Sequence, residues 1–135
     1  MRRMFRRQIR KTLAPEVPPI LQEANFMFDK GEYGRAAELF EHIASGAEAR
    51  GGPRAPMFYL QAGRARVFAN QISAGMEHLK HGLSMFATSG RIGKAFNNGN
   101  RIVIELNARG LQKESKEIRS CDKTTVSPLL KTSLM

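Results

Sequence analysis

The sequence predicts an all-α fold built from antiparallel helix pairs that repeat along the chain. Two observations carry this. Apolar residues recur at helical spacing from Ile20 to Leu83, and no run alternates strictly between apolar and polar, so strands are not expected. The pattern around Gly31 also returns around Asn70, 39 residues further on. At 135 residues, 41% hydrophobic and with a mean hydropathy of −0.38, the chain has room for one domain with a modest core. No stretch approaches the roughly 20 apolar residues that a membrane span needs.

The first helix is expected to start after Pro19 and to run to about Lys30, burying Ile20, Leu21, Ala24, Met27 and Phe28. Gly31 ends it, and Glu32-Tyr33-Gly34 makes a tight turn. A second helix places Ala36, Ala37, Phe40, Ile43 and Ala44 on one face. Ser45 to Pro53, with Gly46, Gly51 and Gly52, reads as the connecting loop. The second pair then repeats the first: Ala24 matches Gly63, Phe28 matches Val67, Gly31 matches Asn70, Tyr33 matches Ile72, Phe40 matches Leu79 and Ala44 matches Leu83. Each match keeps its physical class, and Asn is the other residue that tolerates a left-handed turn.

A third pair is weaker. Lys94 to Ala108 gives a helix with Ile102, Val103 and Leu106 inward. Asn97-Asn98-Gly99-Asn100 reads as a kink or turn at its start. Arg109-Gly110 is the next turn, with Arg109 in the register of Asn70. Leu111, Glu114 and Ile118 open a short last helix.

The stretch Gly31-x-Tyr33-x-x-Ala36-Ala37-x-x-Phe40, followed by the small Ala44, resembles the tetratricopeptide repeat. It returns as Asn70-x-Ile72-x-x-Gly75-Met76-x-x-Leu79. The resemblance covers about residues 20–118. It departs from the family in a period of 39 where about 34 is usual, with the extra length assigned to the loop before Pro53, and in having no Trp in the first helix. It implies a short right-handed solenoid of about two and a half repeats. Such stacks form a concave groove lined by the first helix of each pair. The residues that the resemblance puts in that groove are Asn25 and Asp29 in the first pair, and Arg64 and Phe68 in the second. The plainer alternatives are a core role for Phe68 and a solvated one for Arg64. Leu21 and Leu60 stand where relatives that clamp chaperone tails carry polar groups, so that activity is not expected.

The net charge of +10 is unevenly placed. Residues 1–13 carry Arg2, Arg3, Arg6, Arg7, Arg10 and Lys11 and no acid. Residues 14–50 sum to −4, residues 51–118 to +6, and residues 119–135 to +2. The domain division expected is a basic amphipathic arm (1–15), a helical repeat domain (16–118) and a disordered tail (119–135). In the arm, Phe5, Ile9 and Leu13 share one helical face among the cations. Pro15 and Val17-Pro18-Pro19 then break the helix. Such an arm suits an anionic membrane surface or the phosphates of a nucleic acid, or it is a solvated terminus. No apolar stretch follows it, which argues against a secretory signal; in a eukaryotic source it would also suit a mitochondrial transit peptide.

The chemistry-bearing residues point away from catalysis. His78 and His81 are three apart beside Glu77, and His42 sits in the repeat register of His81, which favours outer-face residues over a metal site. Cys121 is the only cysteine, so no disulfide can form within the chain and no zinc ribbon is possible. It lies in a polar tail, where nothing activates a thiol. No phosphate loop of the Walker type occurs. The expectation is a non-enzymatic adaptor without metal or cofactor, cytoplasmic or peripheral at a membrane surface, that binds another protein or peptide in its groove. The alternative is a nucleic-acid or anionic-membrane protein acting through residues 1–13, joined for nucleic acid by Arg54, Arg64, Arg66 and Lys94. The weak third pair predicts an open edge around Ile102, Leu106 and Leu111, covered by self-association or by Leu129-Leu130.

Overall fold

The computed structural model describes residues 18–120, and all secondary structure among them is helical. Five helices span α1 (Pro19–Asp29), α2 (Tyr33–Ala49), α3 (Ala55–Phe68), α4 (Ile72–Thr88) and α5 (Ile92–Ala108). A sixth, α6, is described over residues 112–120. Residues 1–17 and 121–135 lie outside the described residues, and with them the expected basic arm, the expected tail from residue 121 onward and Cys121.

One turn chemistry ends every helix from α1 to α5. Gly31, Gly51, Asn70, Gly90 and Gly110 all have positive φ, between 66° and 86°. In each case the following N–H reaches back five residues: Glu32 to Met27, Gly52 to Ala47, Gln71 to Arg66, Arg91 to Phe86 and Leu111 to Leu106, at 2.8–2.9 Å. This double turn satisfies carbonyls that a helix end leaves open, and it needs a residue that accepts the left-handed conformation. The turns recur about every 20 residues, so the 39-residue period of the sequence is two helices long.

Five expectations are corrected here. The loop expected over Ser45–Pro53 is mostly helix, because α2 continues to Ala49. Ala44 and Ala47 are buried there, and Gly46 sits inside the helix without disrupting it. The extra length of the repeat is therefore carried by long second helices, since α2 and α4 each have 17 residues. Asn97–Asn100 is not a turn: it lies within α5, where the Asn98 side chain donates to the Lys94 carbonyl at 2.8 Å and Gly99 is buried. The turn before α5 is made by Gly90 instead, and in the third pair the left-handed residue is Gly110, one later than the register of Asn70 placed it. Helix also continues through Arg119 and Ser120, beyond the expected boundary at 118.

Consecutive helices pack against each other from α1 to α5, most intimately α3 with α4. Gly63, Gly75 and Gly82 make that approach possible. A Cβ on Gly75 would lie 2.8 Å from the Gly63 carbonyl oxygen, and one on Gly82 would lie 2.8 Å from the Pro56 carbonyl oxygen. The equivalent crossing of α1 and α2 uses Ala24 and Ala36, both fully buried. Because α3 is covered on several sides, its buried residues (Ala55, Pro56, Leu60, Ala62, Gly63, Ala65, Val67) do not form one stripe.

The core divides into two clusters. Phe40 packs with the alanines of α1–α3, and Leu60, Leu79, Leu83, Phe86, Val103, Leu106 and Ile118 fill the space from α3 to α6. Burying each large side chain contributes about 1.5–3 kcal/mol. Side chains also link alternate helices. Phe28 of α1 meets Phe68 of α3 at 5.3 Å, and Arg64 of α3 meets Glu105 of α5 at 2.8 Å. On the other row, Glu41 and Glu48 of α2 meet His78 and His81 of α4, and Lys80 of α4 meets Glu117 of α6.

Candidate functional site

Arg64 and Arg66 sit two positions apart on α3 and point to opposite rows. Arg66 pairs with Glu41, which also bonds His78 at 2.6 Å. The Arg66 hydrogen bond, followed by that of His78, holds the Glu41 carboxyl below its ordinary value. A parallel contact set lies seven residues along α2: Glu48 accepts from Tyr59 at 2.8 Å and meets His81 at 2.9 Å. Burial and the neighbouring Glu48 push the Tyr59 hydroxyl up to about 12. These contacts tie α2, α3 and α4 together. Of the two histidines expected on the outer face, His42 is exposed on α2 and His81 is exposed on α4, where it meets Glu48; His78 is half-buried against Glu41.

Arg64 serves the first row. Its Nε donates to both carboxylate oxygens of Glu105, at 2.8 and 3.1 Å, and its Nη1 donates to Gln61 at 3.3 Å. Its guanidinium lies 5.1 Å from the Phe28 ring centre and 5.4 Å from that of Phe68. Arg109 lies 4.1 Å from the Phe68 ring centre, and Tyr33 packs edge-on to both phenylalanines.

Beside this cluster, α3 and α5 enclose a cleft of about 520 Å³. Met57, Leu60, Ile102, Ile104 and Ala108 supply its apolar lining, and Gln61, Arg64, Asn98, Arg101 and Glu105 its polar rim. Ile104 is 69% exposed, the largest value among the exposed apolar side chains of the described residues, and Met57 is also exposed. The volume falls in the range of sites that take a small ligand or a few side chains of a partner.

Of the four groove residues expected from the sequence, Arg64 and Phe68 come together, and Arg64 lines the cleft. Phe68 packs against the core and the aromatic cluster. Asn25 and Asp29 are exposed on α1, form no hydrogen bond or ion pair among the described residues, and do not line the cleft. Of the edge expected to lie open, Ile102 and Leu106 are buried and Leu111 is packed on the core, while Phe96 and Ile104 are the exposed large apolar residues of α5; Leu129-Leu130, expected as a cover, lies outside the described residues. A signal for Ile104 did exist. Ile102-Val103-Ile104 are consecutive, and at about 100° per residue one of three must leave the buried stripe.

Among the described residues, no three His, Cys, Asp or Glu side chains are grouped to hold a metal ion, and no helix is long and apolar enough to cross a membrane. Comparison of the chain with protein-family models, with curated proteins and with solved structures found no match.

Proposed function

We propose that the chain is a non-enzymatic interaction scaffold of the tetratricopeptide-like kind, with α1, α3 and α5 forming its binding face and the α3–α5 cleft receiving a segment of a partner protein. The observation that carries this reading is the cleft itself. It brings two exposed apolar side chains, Met57 of α3 and Ile104 of α5, together beside Leu60 and Ile102, and neither Met57 nor Ile104 belongs to the core. Contacts of odd helices with odd and of even helices with even support a solenoid stack, because in a repeat scaffold each helix meets its neighbours along its own row. Arg64 and Glu105 pair with each other across the cleft and so fix its shape.

The test is affinity capture with the full chain as bait, run beside an Ile104→Asp bait. Proteins retained by the wild type and lost with Ile104→Asp support the reading. Equal retention by both baits, or retention by neither, overturns it.

A further inference from the structure

The charge around the cleft selects among partners, and this inference rests on the reading of the cleft as a binding face. We propose that its occupant is an acidic amphipathic segment of another protein: aliphatic side chains seat between Met57 and Ile104, and a neighbouring carboxylate meets Arg101.

Two charged rim residues are already occupied. Arg64 is held by Glu105, Gln61 and two phenylalanine rings, and Glu105 is taken up by Arg64. The third is Arg101, which lines the cleft, is exposed, and makes no hydrogen bond or ion pair among the described residues. The rim therefore offers one guanidinium beside an apolar floor, and no carboxylate without a partner. A guanidinium bonds carboxylates with a fixed two-pronged geometry. Lys94, exposed on α5 one turn before the lining residue Asn98, adds a second cation beside Arg101. The same charge disfavours the chain's own termini as occupants. Residues 1–13 sum to +6, and Leu129-Leu130 is followed by Lys131. The apolar floor gives a phosphate backbone nothing to bind, which favours a peptide over nucleic acid. A slot between two helices accommodates an amphipathic helix by its apolar anchors.

The experiment is selection of a random 12-residue peptide library displayed on phage against the full chain. Enriched peptides are then synthesised and measured by fluorescence anisotropy on wild type, Ile104→Asp and Arg101→Glu. Both substituted residues are exposed, and circular dichroism verifies that each variant is folded. The expected peptides carry Leu, Ile, Met or Phe within one helical turn of Asp or Glu. Ile104→Asp weakens them about tenfold or more. Arg101→Glu weakens them about threefold to tenfold, and Glu→Lys peptides then bind it better than their parents. Enriched peptides without acidic residues, or an Arg101→Glu affinity equal to wild type, overturn the acidic assignment while a loss with Ile104→Asp leaves the cleft as the binding face. Absence of enrichment, or binding insensitive to Ile104→Asp, overturns both.

Discussion

Replacing Gly75 by Ala tests the α3–α4 crossing on which the cleft wall is mounted. The new Cβ would lie 2.6 Å from Val67 Cγ2, 2.8 Å from the Gly63 carbonyl oxygen and 2.9 Å from the Val67 amide nitrogen. A methyl group can rotate away, but the other two atoms belong to the α3 backbone. Reaching ordinary contact at 3.4 Å requires the helices to separate by about 0.6 Å, which loosens the packing at Gly82 as well. Overpacking of this kind costs about 1–3 kcal/mol, and the backbone atoms involved put Gly75 at the upper end. The higher helix propensity of Ala returns about 1 kcal/mol. The net expectation is a loss of about 2 kcal/mol, which lowers Tm by about 7–9 °C for a domain of this size. Urea unfolding followed by circular dichroism measures it, with Gly46→Ala as the matched control. A Cβ on Gly46 meets only the flexible Arg50 side chain at 3.4 Å, so that variant should gain about 0.5–1 kcal/mol. If Gly75→Ala proves as stable as Gly46→Ala, the two backbones do not approach as described.

Other outcomes follow from the same contacts. Gly110→Ala leaves the space around the residue free but forces Ala to a φ of 79°, so it should cost about 1–2 kcal/mol in urea unfolding. Glu41→Gln should cost about 1–3 kcal/mol, because it removes the carboxylate that bonds half-buried Arg66 and His78. The Glu41 carboxyl is held below its ordinary 4.5, so the unfolded chain binds more protons in acid. The stability it contributes is therefore complete above about pH 4.5 and is lost as pH falls through the folded value. An acid titration should show this limb in wild type and a shallower one in Glu41→Gln. Ile104→Asp should change stability by no more than about 0.5 kcal/mol, since the side chain is mostly in water. A larger loss would mean that Ile104 belongs to the core.

Much of the fold was legible because the turns and crossings depend on residue types that few others can replace. Gly31 and Asn70 mark left-handed turns, and the recurrence of Ala24-Ala36 as Gly63-Gly75 marks helices that cross closely. The third pair was harder to read. Asn97–Asn100 carries a stronger turn composition than Ser89-Gly90, yet the stretch is helical, since Asn98 bonds back onto its own helix and Gly99 is buried in it. The Gly-rich run after Ala44 misled in the same way, because Gly46 is held inside α2 while Gly51 makes the turn. At the candidate cleft, Arg64 is the one of the four residues named from the resemblance that lines it. Its pairing with Glu105, 41 residues away, was not legible, because that contact depends on how α3 and α5 come together. Met57 and Arg101 carry no local signal, since an exposed Met or Arg on a helix is ordinary until a neighbouring helix turns it into the wall of a cleft.

The most direct test of the binding face is site-specific photocrosslinking. A benzophenone side chain is introduced in the full chain at position 108, which is exposed on α5 and lines the cleft, or at position 42, which is exposed on α2 in the other row. With a partner peptide or captured protein present, the account predicts covalent adducts from position 108 and none above background from position 42. Adducts from position 42 alone, or equal yields from both positions, would contradict it.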